Sequence, residues 1–156
     1  MLDTLADVPP VVVALSLVST TLLGVAFAAQ PSVAPRADAL ASTVNAVGAA
    51  DTPGAESHPV RADAVRITTH EIAVRGDGGT ARASFAYGPV VPVRRDTGLW
   101  RVLHGAPPGE VFDGGLQFAS AAVDARQREA FWRHGRDRLT VRRVTWRGVD
   151  VTLVGA

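Results

Sequence analysis

The sequence predicts an α+β protein, with an N-terminal transmembrane helix and an amphipathic stalk helix followed by a small antiparallel β-sheet head with one main packed helix. Three observations predict it. Residues 8–31 contain no charged side chain, although 20% of the chain is charged. Ala37, Leu40, Val44 and Val47 then recur at helical spacing. Beyond residue 57, runs rich in Val, Ile and Thr alternate in polarity around Gly-containing turns, the pattern of paired strands. The corresponding divisions are an anchor over 1–30, a stalk helix and linker over 31–56, and a head over 57–156.

The 19 residues Val11–Ala29 would form a helix roughly 28 Å long, close to the hydrocarbon thickness of a bilayer of about 30 Å. Its Val, Leu and Phe side chains favour insertion by about 0.3–0.6 kcal/mol each. Ser16, Ser19, Thr20, Thr21 and Gly24 subtract part of this, although hydroxyls can bond to carbonyls one turn back. Val11, Leu15, Val18, Leu22 and Val25 fall on one helical face, the expected contact with lipid or partner helices. The alternative is a cleaved export signal, for which Ala26-Phe27-Ala28 supplies small residues. The basic start of such a signal is missing, because only Asp3 and Asp7 precede the run as charged groups. Pro9 and Pro10 suit a first helical turn. Arg36 alone follows closely and by the positive-inside tendency favours a cytoplasmic C-terminal part.

Pro31 and Pro35 predict a break before the stalk helix, and the turn-rich "AADTPGAESHP" that follows reads as a linker. In the head, residues 64–75 and 80–87 form a predicted hairpin around Gly76-Asp77-Gly78-Gly79. "VVPV" predicts a short edge strand, since Pro92 cannot donate to a ladder. Leu99, Val102 and Leu103 predict a helical turn stopped by Gly105. Asp113 is the expected cap of a helix running to Gln127, with Leu116, Ala119, Ala122 and Val123 inward. "DRLTVRRVTW" and "VDVTLV" form the strongest strand pair, joined by Arg147-Gly148. Val149, Val151 and Leu153 share one face of the second strand, and Asp150, Thr152 and Val154 the other. In the first strand Leu139 and Val141 have opposite parity to Val144 and Trp146, which predicts a bulge near Arg142-Arg143.

Composition bounds the chemistry. With no cysteine there are no disulfides, thiolate metal sites or Cys nucleophile. His58, His70, His104 and His134 show no metal-ligand spacing. Asp113-Gly114-Gly115 before a helix offers an anion cradle or simple cap geometry, and Gly76-Asp77-Gly78-Gly79 reads as a turn and not a phosphate loop because a strand follows it. No catalytic, cofactor-binding or metal residue is therefore expected, and no enzyme. Charge is divided unevenly: residues 1–56 carry a net −4 and residues 57–156 a net +5. Eight of the 16 arginines lie between residues 126 and 147. Arg126, Arg128, Arg136, Arg138, Arg142 and Arg143 form the candidate face toward an anionic partner, with a merely solvated face as the bland alternative and nucleic acid not expected.

The run "GGTARASFAYGPVVPVR", the segment "LHGAPPGEVF" and the ending "DRLTVRRVTWRGVDVTLV" resemble a family of small, uncharacterised haloarchaeal membrane-anchored proteins of archaeal type IV pilin-like (pseudopilin) type. That resemblance implies a cell-membrane, single-pass protein with an extracytoplasmic head. Its partners would be the lipid bilayer and other pilin-like subunits or assembly-machine membrane proteins, with no cofactor and no small-molecule substrate. Asp7-Val8-Pro9-Pro10 occupy the place of a prepilin peptidase site, which points to a minor subunit. The expected function is structural or assembly work by helix packing and head contacts. The alternative is a secreted or anchored binding domain whose arginine face, residues 126–147, holds an anionic ligand, lipid headgroup or acidic partner.

Overall fold

Helix α1 (Ala37–Ala49) forms where the apolar spacing placed it, and its stripe of Ala37, Leu40, Ala41, Val44 and Val47 is buried. The computed structural model describes residues 36–135 and 138–156. The expected membrane span, including Val11, Leu15, Val18, Leu22 and Val25, lies outside the described residues. Among the described residues no helix is long and apolar enough to cross a membrane.

Among the described residues eight strands and two further helices follow α1. The strands are β1 (Ala55–Pro59), β2 (Ala64–Ile67), β3 (Glu71–Gly76), β4 (Gly79–Ser84), β5 (Val91–Pro92), β6 (Arg133–His134), β7 (Arg138–Trp146) and β8 (Val149–Gly155). Helix α2 (Gly98–Leu103) and helix α3 (Gly115–Gln127) lie between β5 and β6, with a 3-10 turn at Pro108–Glu110. The α+β class holds, but the strands form two four-stranded sheets, in orders β1-β7-β8-β5 and β4-β3-β2-β6. The first sheet is mixed, because β5 runs parallel to β8 at its edge.

α1 is no stalk. Its apolar stripe belongs to the same core as Val65 and Ile67 of β2, Ile72 and Val74 of β3, Leu139 and Val141 of β7 and Val154 of β8. The segment read as a linker also contributes structure, since β1 pairs with β7 from Ala55↔Arg142 to Pro59↔Arg138. A second core lies around Val91, Val93, Leu99, Val102, Leu103, Phe112, Phe118, Val144, Val151 and Leu153.

The two cores explain the parity change in β7 without a bulge. The β7–β8 register runs unbroken from Thr140↔Gly155 to Trp146↔Val149. Leu139 and Val141 point into the first core, whereas Val144 and Trp146 point from the opposite face into the second. A strand covered on different faces along its length needs no extra residue. The β8 pattern stands as expected, with Val151 and Leu153 in the second core and Val154 in the first. Arg147 and Gly148 close the hairpin at φ 46° and 78°, the signs that a type I′ turn requires.

Three further expectations are corrected. Residues 64–75 are not one strand but the β2–β3 hairpin, whose turn is held by Thr68: its hydroxyl accepts from His70 N at 3.2 Å and Glu71 N at 3.0 Å. Asp113 does not cap α3; Gly114 is the N-cap residue, and Gln117 Oε1 accepts from Asp113 N at 2.7 Å. α3 is also rotated from the expected face. Phe118, Ala122 and Ala125 are buried, while Leu116 is 89% exposed and Val123 46%. The cause is Phe118, which packs against Phe112 at 5.4 Å and edge-on to Trp146 at 5.9 Å between ring centroids. Burying that ring outweighs burying Leu116.

Candidate functional site

Arginine is the only basic residue type other than His, and in this fold its guanidinium groups serve two purposes. Arg142 and Arg143 are neighbours on β7 and so point to opposite faces of the sheet. Arg142 Nη1 donates to Val102 O at 2.8 Å, satisfying a carbonyl of the last turn of α2. Arg143 Nη1 donates to Gly48 O at 3.2 Å and to Ala50 O, at the C-terminal end of α1. Positive charge there complements the helix dipole. Arg143 is oriented in turn by Asp150, which accepts from Nε at 3.2 Å and from Nη2 at 2.6 Å. The bond from Arg143 holds the Asp150 carboxyl below its ordinary range, against the opposing effect of burial. The same bond raises the Arg143 guanidinium.

The remaining members of the predicted face separate. Arg138 is exposed at the start of β7 opposite Pro59, and Arg136 lies outside the described residues. Arg126, in the last turn of α3, and Arg128 just beyond it line a cavity of about 240 Å³. Its other walls come from the end of β2 with its turn, and from Pro92 and Arg94 after β5. Extended backbone at Arg128 (φ −71°, ψ 140°) carries the chain from α3 past Phe131 to Arg133 of β6. β6 is fixed by pairing with β2, at Ala64↔His134 and Val65↔Arg133.

Four arginines therefore line one cavity, Arg94, Arg126, Arg128 and Arg133, with Glu129 as the acidic member. Arg94 Nη2 donates to Glu129 O at 2.7 Å, Arg126 Nη2 to Pro89 O at 3.2 Å, and Arg133 Nη1 to Val93 O at 2.9 Å. Neutral carbonyls thus fix Arg94 and Arg126 without cancelling their charge. Arg126 Nε is buried with no hydrogen-bond partner. Phe131, 49% exposed, has Arg94 at 4.7 Å and Arg133 at 5.2 Å from its ring centre. Sequence reading counted Arg133 in the dense run with Arg126 but left it out of the six-residue candidate face, and it did not group Arg94 with them. Arg94 lies outside the dense run, and the pairing of β6 with β2 that brings the segment round has no strong local signal.

The histidines have ordinary roles. His58 Nδ1 lies 3.4 Å from Thr43 Oγ1, His70 Nδ1 2.8 Å from Thr69 Oγ1, and His104 Nδ1 2.9 Å from Trp100 O. Among the described residues no three His, Asp or Glu side chains are grouped to hold a metal ion. At the Asp113-Gly114-Gly115 segment a Cβ on Gly115 would lie 3.0 Å from Arg147 Cβ, so this glycine serves close approach of α3 to the β7–β8 turn.

A family model described as a family of unknown function (DUF7283) matches residues 3–144. No curated protein and no solved structure matches the chain.

Proposed function

The chain belongs to the family of unknown function DUF7283, and from that starting point we propose that it is a single-pass membrane-anchored, non-enzymatic structural or assembly component of a type IV pilus-like system. One observation carries the reading: the 19-residue uncharged run Val11–Ala29, whose length matches the apolar thickness of a bilayer. Its stripe of Val11, Leu15, Val18, Leu22 and Val25 supplies the face toward lipid or partner helices. The three quoted motifs that resemble pilin-like proteins support the narrower assignment, with the head outside the cytoplasm. The head in this reading is a rigid contact module, whose two cores are closed by α1 on one side and by α2 and α3 on the other.

Fractionation of native membranes tests the anchor. The full chain should resist carbonate washing and be released by detergent, with a mature N-terminus preceding Val11. A water-soluble protein starting near Ala29 overturns it. The chain contains no cysteine, so single substitutions Leu15→Cys, Val18→Cys and Leu22→Cys give clean crosslinking readouts. Crosslinks to partner subunits confined to that stripe support assembly by helix packing; their absence in assembled membranes rejects it.

A further inference from the structure

We propose that the cavity between the C-terminal end of α3, the end of β2 and the segment after β5 binds a phosphate monoester carrying an apolar or aromatic group. The proposal goes beyond membrane anchorage and does not depend on it. Three features of the cavity point to this ligand class.

The first is charge. Four arginines and one glutamate line a space of about 240 Å³. Among the described residues the ion pairs are Arg66–Glu71 and Arg143–Asp150, so Arg94, Arg126 and Arg128 have no carboxylate partner there. A phosphate monoester carries between −1.5 and −2 charges at about pH 7 and offers three acceptor oxygens, which suits several guanidinium forks better than a singly charged carboxylate does.

The second is preorganisation. Arg94 and Arg126 are each held by a backbone carbonyl, at 2.7 Å and 3.2 Å, so their side chains are fixed before a ligand arrives. Arg128 is exposed at the rim and free to close on a ligand.

The third is the apolar wall. Phe131 stands half-exposed at the same cavity, and Ile67, Pro92 and Ala125 complete an apolar lining. An inorganic anion would leave that surface wet, whereas an ester with a ring or short chain would cover it.

Calorimetric titration of the full chain in a neutral detergent, with phenyl phosphate as probe, tests the proposal. Saturable one-to-one binding is expected, weakening as pH falls through about 6, where the second phosphate proton returns. Arg128→Gln and Arg94→Gln should each weaken it by about tenfold or more with the thermal transition retained. Arg138→Gln, at an exposed arginine that does not line the cavity, should leave it unchanged. Benzoate, with the same ring but a single carboxylate, should bind at least about tenfold more weakly. A short-chain phosphatidic acid distinguishes the sources: competition with phenyl phosphate identifies a lipid headgroup, and failure to compete identifies a soluble ester. Absence of phenyl phosphate binding, equal binding of benzoate, or losses as large in Arg138→Gln as in Arg128→Gln overturns the proposal.

Discussion

At the scale of single residues, the arginine-rich run does two separate jobs, and side-chain parity divides them. Arg142 and Arg143 leave β7 on opposite faces, and each takes carbonyl oxygens at the end of a different helix. Replacing Arg142 by Met should lower stability by about 1–2 kcal/mol, because a helix-end carbonyl loses a charged donor while the aliphatic stem is kept; denaturant titration measures it. Arg143→Gln should lower the thermal midpoint more than Asp150→Asn does, since the former strips α1 of its donors and the latter only loosens the arginine. The Asp150 pairing also has a pH signature. Its carboxyl is depressed in the folded state, so its stabilisation is complete above the ordinary aspartate value of about 3.9 and disappears as pH falls through the lower folded value. Thermal melts from pH 6 downward should show a drop below about pH 4 that is smaller in Asp150→Asn. With the Asp150 side chain 46% exposed, added salt should shrink the difference. The density of arginine was plain in the sequence. Its division into helix-end donors and cavity lining was not, because that depends on which face of β7 meets which core and on where β6 docks.

At the scale of elements, the sequence located most boundaries but misread which faces are covered. The β7–β8 pair, its Arg147-Gly148 turn, the β3–β4 turn and the edge position of β5 were all legible, because each has local turn chemistry or a Pro to mark it. The Thr68 turn was missed because it uses a hydroxyl in place of glycine. The face of α3 was missed because hydropathy alone cannot rank Leu116 against Phe118 when both lie near an apolar stripe. Tertiary packing decides it: Phe118→Ala should cost about 3–5 kcal/mol, whereas Leu116→Ser should change stability by less than about 0.5 kcal/mol. Comparable losses from both would mean that α3 presents the other face. β7 offers a second check, since Val141 and Val144 have opposite parity yet both are buried. Val→Ala at each should cost about 2 kcal/mol, and the two should add, because the side chains occupy different cores. A bulged strand would place both in one core and couple them.

At the scale of the molecule, the position of α1 decides how the chain is divided. A stalk would expose its apolar stripe to solvent or to partners, and the head would fold without it. Instead Leu40 is 3% exposed and Val44 fully buried, among residues drawn from both sheets. The described residues 36–135 and 138–156 belong to one compact unit. Removing α1 would expose Val65, Ile72, Val74, Leu139, Val141 and Val154 together. Apolar burial of about 1.5–3 kcal/mol for each of these six side chains, up to about 9–18 kcal/mol together, is as large as the 5–15 kcal/mol that typically separates a folded domain from its unfolded chain. A fragment comprising residues 33–156 should therefore melt in one cooperative transition, and a fragment comprising residues 57–156, which lacks both α1 and β1, should show none. Far-UV circular dichroism over a thermal scan distinguishes them. A cooperative transition in the shorter fragment would mean that the sheets close a core of their own, and would return α1 to the role of a stalk.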